Sequence, residues 1–492
     1  MRGAGPRLWY TLEQFQPFTR ELALKSKVHF SGIGGTGMVA AARLAVQAGM
    51  VVRGSDNPLY PPTSDMVAEL AIPVSDSYGA HNLEWRPDVV VVGNALSRGN
   101  PEVEFALERR MRFMSMPEWL REYVLRERKP VVICGTHGKT TTTALTAHLA
   151  NHCMGDKTGF LIGGQPLNFA HSARLGQKDE MFVIEGDEYD SAFFDKRAKF
   201  LHYLPRIAVV TSLEFDHGDI YRDLGEIETA FQRMLRQIPK SGWLIACADN
   251  LAASLKEHAY SNVATYGFSA DADWRGEIVS APPGLQAIEV YHHGKPWGRV
   301  ETPLFGRHNL LNLLAAVAVM GTRKVPAALV AEAARSFLGV KRRMEVFLES
   351  GGVTYVDDFA HHPTAITETI AAARQRWPEA RLHVLFEPRS NTTVTAAFQE
   401  PMFNAFGQAD TVGLGPIYRA ERIPDAERLD RESLCEALRV LGIDAACFDD
   451  AVQLVPWATA RAKPGDVVLL LSNGAFGGLR DLFRQAAAEA AE

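Results

Sequence analysis

The chain has 492 residues, more than one hydrophobic core ordinarily spans, so length alone argues for two to four domains. Hydrophobic residues make up 47% and charged residues 22%, the balance of a globular protein, and a formal net charge of -6 without a long Lys/Arg block excludes a surface built to track nucleic-acid phosphates. The five cysteines (Cys134, Cys153, Cys247, Cys435, Cys447) are odd in number and form no CxxC pair, which disfavours both a disulfide framework and a zinc site and points to a reducing compartment.

Residues 1–26 form an extension that mixes Arg2, Arg7, Glu13, Arg20 and Glu21 with aromatics and holds no apolar stretch of signal-peptide length. No later apolar run approaches the roughly 18 residues needed to span a bilayer, so a cytoplasmic protein without membrane contact is expected. From Lys27 onward, strand-like apolar runs alternate with helical stretches, the pattern of α/β architecture with parallel sheets. The pattern restarts at three places, which sets expected boundaries at an N-terminal extension 1–26 and segments 27–128, 129–338 and 339–492.

The first segment opens with a strand, Lys27 to Phe30, that runs into Ser31-Gly-Ile-Gly-Gly-Thr-Gly37 and then a helix. Asp56 closes the next strand, Met50 to Arg53. The glycines fit G-x-G-x-x-G and Asp56 falls near the place of a ribose-binding acid, so an NAD-dependent oxidoreductase is one reading. The motif says only that a pyrophosphate can approach the backbone at a helix N-terminus, and a UDP-sugar carries a pyrophosphate too.

The second segment follows a charged helix end, Arg121 to Lys129. Strand Pro130 to Cys134 leads into Gly135-Thr-His-Gly-Lys-Thr140 and a run of hydroxyls through Thr143, with a helix expected over Ala144 to Ala150. Backbone N–H groups of such a loop cradle phosphate oxygens, Lys139 neutralises β/γ-phosphate charge and Thr140 offers a hydroxyl to Mg²⁺. The loop is a shortened variant, because Ile133 stands where the general phosphate loop has its first glycine. Metal-compatible acids lie at later strand ends: Glu185 after Phe182-Val-Ile, followed by Gly186-Asp-Glu-Tyr-Asp190, and the run Leu213-Glu-Phe-Asp-His-Gly-Asp219 after Val209 to Ser212. His217 in that run is a second candidate metal ligand, against the commoner role of a cap or core histidine. The third segment follows a basic hinge, Lys341-Arg342-Arg343, with a strand from Gly352 to Val356 ending in Asp357-Asp358.

Taken together, Gly32-Ile-Gly-Gly-Thr-Gly-Met38, Gly135–Thr140, Glu185 with its acidic neighbours, Asp216-His-Gly-Asp219, Gly306-Arg-His-Asn-Leu-Leu-Asn312 and Asp357-Asp-Phe-Ala-His-His-Pro363 resemble the Mur ligase family over about residues 27 to 485. The resemblance implies an α/β, three-domain Mur ligase architecture: an N-terminal Rossmann-like UDP-binding domain, a central P-loop ATPase domain and a C-terminal Rossmann-like domain. It implies ATP and Mg²⁺ as cofactors, amide-bond formation through an acyl phosphate, and UDP-N-acetylmuramate and a cell-wall peptide as partners, in a monomer or weak homo-oligomer. Two branches are near, and the second is the better match. His361-His-Pro363 and the first glycine loop are shared with the branch that adds L-alanine in de novo synthesis. Tyr60-Pro-Pro62, Glu188 to Arg197, Glu387-Pro-Arg-Ser-Asn-Thr392 and Ser472 to Gly478 are similar to the branch that attaches L-alanyl-γ-D-glutamyl-meso-diaminopimelate in peptidoglycan recycling.

The resemblance also assigns residues. Lys139, Glu185 and His217 would be catalytic, with Thr140, Glu185 and His217 holding metal. Gly135, Thr136, His137, Gly138, Lys139, Thr140 and Thr141 would surround the triphosphate, Asn309 would approach the adenine, and Arg343 and Asp358 would close over the nucleotide. Gly32, Gly34, Gly35, Thr36, Gly37, Asp56 and Asn94 would serve the UDP-sugar. Family members often carry a carbamoylated lysine downstream of the Asp-His element; counting from Asp216, that position is Phe231, so the modification is not expected here. Glu387-Pro-Arg389 and Ser472-Asn473, at strand ends, are the expected peptide-binding side. A non-catalytic nucleotide-binding regulator is disfavoured because Lys139, Thr140, Glu185 and His217 are all present.

Overall fold

The computed structural model describes residues 26–61, 63–214, 221–390 and 393–490. The expected ligand His217 and all but the last residue of the 1–26 extension lie outside the described residues. The chain forms two compact units: one of residues up to 126 with the short excursions Ala173–Leu175 and Ser191–Lys196, the other of the remainder.

In the first unit, five parallel strands are ordered Val74–Ser75, Val51–Ser55, Lys27–Ser31, Val89–Val92, Phe113–Ser115. This 3-2-1-4-5 order puts the topological switch beside the first strand, where open α/β sheets bind ligands. Val89-Val-Val-Val92 is buried along its whole length because helices cover both faces, and a strand without polar alternation is what such a position requires.

In the second unit, Lys129–Cys134 lies centrally in its sheet, paired in parallel with Ile207–Val210 on one side and Met181–Gly186 on the other. The three strands carrying the phosphate loop, the Leu213-Glu214 segment and Glu185 therefore end side by side. The helix after the loop spans Lys139–Met154, five residues earlier than the threonine run suggested. The threonines are accommodated because their hydroxyls find partners: Thr143 Oγ1 donates to the Lys139 carbonyl one turn back (2.8 Å) and Thr142 Oγ1 to Asn312 (3.0 Å). This helix packs on Arg307–Thr322.

Residues 345–471 build a third sheet. Glu345–Ser350 runs antiparallel to Val353–Asp358, and the remaining strands are parallel in the order Val353–Asp358, Val467–Leu471, Leu382–Phe386, Thr411–Leu414, Asp444–Cys447. Alternate residues of its strands feed two apolar layers, one through Val356, Val384, Phe386 and Leu469 and the other through Tyr355, Leu385, Val468 and Leu470. Among the described residues no helix is long and apolar enough to cross a membrane.

Candidate active site

Gly138 caps the helix with φ +81, and a Cβ there would run into the side-chain oxygen of Asn312. Only glycine meets both conditions. The loop is braced from the neighbouring strand: Thr136 N donates to the Ser212 carbonyl (3.1 Å), His137 N to Ser212 Oγ (2.8 Å), and Glu214 N to Thr136 Oγ1 (3.0 Å). Lys139 Nζ donates to the carbonyls of Gly135 (2.7 Å) and Thr136 (3.1 Å) and pairs with Glu188 at 2.9 Å. Burial disfavours the ammonium, but the carboxylates of Glu188, Asp187 and Glu185 outweigh it and hold Lys139 above its ordinary value, so it stays charged.

Thr140 Oγ1 lies 3.0 and 3.1 Å from the two Glu185 oxygens, and Gly163 N donates to Glu185 Oε2 at 2.9 Å. Burial pushes the Glu185 carboxyl up, with Lys139 only partly opposing. Asp187 behaves differently: burial again favours the neutral form, but Lys199 at 2.7 Å and Lys139 hold it below the usual range. Glu185 is thus a half-buried acid short of positive charge, sharing a hydroxyl with Thr140. A hard dication with several waters needs only one or two such protein oxygens, so the donor set fits Mg²⁺.

The other expected residues fall in different places. Thr141 is buried in the first helical turn. Asn309 is turned inward, its amide donating to the Phe305 carbonyl (2.7 Å) and its oxygen accepting from Asn312 (3.2 Å). Asn312, which sequence reasoning quoted but did not assign, is the side chain that faces Gly138 and Thr142. Arg343 lies 5.0 Å over the Phe359 ring. Asp358 accepts from Met344 N (2.7 Å) and Ala360 N (2.8 Å), so it fixes the loop that presents Arg343. Phe231 is buried and stacks on Phe200 at 5.0 Å, an apolar setting where the family's modified lysine would stand. Glu188 and Glu214 were also passed over, although both sit in acidic runs directly after strands.

In the first unit, the helix Thr36–Gln47 starts at Gly35 without a side-chain cap, leaving its N–H groups directed at the glycine turn. Asp56 is committed to that turn: Oδ2 accepts from Gly34 N (2.7 Å) and Oδ1 from the Tyr78 hydroxyl (2.7 Å). Asn94 is exposed just after Val89–Val92. Below the turn, buried Glu102 accepts from Ser31 Oγ, Ser55 Oγ and Asn82 Nδ2. Burial disfavours its charge, but these donors together with His29 win and lower its pKa to about 2.

Three segments built on largely parallel sheets, an uncapped glycine turn and a lysine–threonine–carboxylate phosphate site agree with what family models find. Residues 27–128 match the Mur ligase family catalytic domain, 133–320 the Mur ligase middle domain and 342–474 the Mur ligase glutamate ligase domain. The chain belongs to the Mur ligase family. It is 39% identical to the UDP-N-acetylmuramate–L-alanyl-γ-D-glutamyl-meso-2,6-diaminoheptandioate ligase of Escherichia coli, over 95% of this chain and 99% of that one. It is 37% identical to an Anaeromyxobacter UDP-N-acetylmuramate–L-alanine ligase, over 91% and 95%. Among solved structures, a murein peptide ligase from Psychrobacter arcticus matches with 34% identity and TM-score 0.69, over 94% of this chain and 98% of that one. The UDP-N-acetylmuramate–alanine ligase of Thermotoga maritima, 24% identical, shares the fold with TM-score 0.76 over 95% and 100%.

Proposed function

We propose that this chain joins UDP-N-acetylmuramate to L-alanyl-γ-D-glutamyl-meso-diaminopimelate at the expense of ATP, releasing ADP and phosphate. The observation that carries this reading is end-to-end similarity to a ligase of that name, together with a phosphate loop whose lysine and carboxylates are already in place. We assign 27–128 to the UDP-sugar, 129–338 to ATP and 339–492 to the peptide, and place the reaction in the cytoplasm, where both nucleotides are available.

The sugar's lactyl carboxylate attacks the γ-phosphorus and ADP leaves; the peptide amine then attacks the acyl phosphate, loses its proton, and phosphate departs. Bringing a carboxylate to a triphosphate requires concentrated positive charge. Lys139, kept protonated, supplies one fixed charge, and the loop's backbone N–H groups orient the phosphates for in-line transfer. Thr140 and Glu185 would hold Mg²⁺, which neutralises phosphate charge when bound, with His217 as a further ligand.

A tripeptide of this kind brings three free carboxylates, whereas L-alanine brings one. At the C-terminal ends of the third sheet, Arg389 lies 3.7 Å over the Tyr418 ring and 3.3 Å from Glu387, with Arg419 on the same tyrosine. Cations at that edge suit the larger anionic acceptor.

Ligation with UDP-N-acetylmuramate, ATP and Mg²⁺ should prefer the tripeptide to L-alanine. Lys139→Ala should lower turnover about a hundred- to a thousandfold, the cost of losing one preorganised charge donor. A preference for L-alanine would move the protein to the other branch, and no product from either acceptor would sink the proposal.

A further inference from the structure

Outside the Lys139–Glu185 cluster, three side chains converge at the junction of the phosphate loop and the third sheet's segment. His137, Glu214 and His362 each offer one ligand atom, and the three atoms lie within 4.8 Å of one another. His137 Nε2 is 3.4 Å from Glu214 Oε2, and the two imidazole rings are 5.2 Å apart at 38°. His137 Nε2 is buried, and its approach to Glu214 lacks hydrogen-bond alignment. The contact is two lone-pair donors facing one space rather than a satisfied pair.

We propose that His137, Glu214 and His362 form a binding site for a first-row transition dication of the zinc type, bridging the phosphate loop to the third sheet's segment. Two imidazoles and a carboxylate are a donor set for zinc, cobalt or nickel, whereas Mg²⁺ prefers oxygen ligands and its own waters. Three protein ligands leave a fourth position for water or an anionic oxygen. In a tetrahedral zinc site ligand atoms stand roughly 3.3 Å apart, from metal–ligand bonds of about 2.0–2.1 Å, so little movement closes this triangle. The lack of a CxxC pair bears only on thiolate sites and leaves a histidine–carboxylate one open.

Two of the ligands are prepositioned. Thr136 and Glu214 exchange hydrogen bonds through the Thr136 hydroxyl, 3.0 Å to Glu214 N and 3.2 Å to its carbonyl, and His137 N is held by Ser212 Oγ. Thr364 Oγ1 donates to Glu214 Oε2 at 3.3 Å, an outer contact of the sort that orients a ligating carboxylate. The third ligand, His362, is the N-cap residue of helix Pro363–Arg376 and packs edge-on against Phe398 at 5.8 Å. It reaches the other two only when its segment is docked on the phosphate loop, so the ion would act as an interdomain latch.

The full chain, stripped by a chelator and held in a large excess of Mg²⁺, should take up one equivalent of Co²⁺ with visible d–d absorption of a four- or five-coordinate ion. Zn²⁺ should displace it. His362→Ala and Glu214→Gln should lose the band and weaken Co²⁺ binding at least about thirtyfold, a tenfold change being about 1.4 kcal/mol, while His361→Ala retains both. If a variant fails to fold, the zinc K-edge spectrum of the unaltered protein decides, with imidazole scattering from two histidines expected. No band with the unaltered protein, a band unchanged in His362→Ala, or a zinc shell without imidazole would each overturn the site.

Discussion

A methyl group at Gly138 would have to displace Asn312, and the residue's φ of +81 penalises any side chain there. Gly138→Ala should therefore lower kcat/KM by about a hundredfold, as misplacement of a reacting group by an ångström does, while circular dichroism stays that of the folded chain. Unchanged kinetics would mean that the loop does not hold phosphate in this shape. Gly135–Thr140 was readable in the sequence because its partners are a few residues away and the chemistry dictates the spacing. Asn312 was not, since its meeting with Thr142 spans 170 positions and is created by the packing of two helices. Asn309, three residues earlier in the same motif, attracted the assignment, yet the helix turns its amide toward Phe305.

At the level of elements, the six strands read from the sequence lie within about two residues of those observed, because short apolar runs bounded by glycine and acid mark buried parallel strands. The phosphate-loop helix began earlier than expected because four consecutive β-branched threonines read as a poor helix start, until tertiary partners for their hydroxyls are known. The acid under the glycine turn of the first unit was invisible for the same reason: Glu102 opens helix Pro101–Glu108, and nothing local says that its carboxylate is buried. Its folded pKa, about 2, is lower than the unfolded value near 4.5, so its contribution is present above the unfolded value and is lost as pH falls from about 4.5 through about 2. Glu102→Gln should cost up to about 3 kcal/mol at neutral pH. In unfolding measured against pH, the gap between unaltered and variant protein should close across that window. A gap that stays constant would show that Glu102 is not an ionised anchor.

For the whole molecule, the three-segment plan was legible because each segment restarts with a strand and a ligand-binding turn. The division into compact units was not, since it depends on which surfaces bury one another. If, as proposed, the two units hold separate nucleotide sites, their thermal responses should be separable, because a ligand stabilises only the part that binds it. Calorimetry should show UDP-N-acetylmuramate raising one transition and a non-hydrolysable ATP analogue raising the other, whereas a single transition moved equally by both would contradict the division. Within the first unit, Phe193 packs against the cluster around Val90, Val92 and Val103, and Phe194 meets Phe113 edge-on at 5.0 Å. These two aromatics arrive about eighty residues after the last strand of their own sheet, Phe113–Ser115. During translation, then, the nascent first unit must wait with an open apolar face until the Ser191–Lys196 excursion emerges from the ribosome, and a gene fragment cut at residue 128 would express a sheet that never receives its lid.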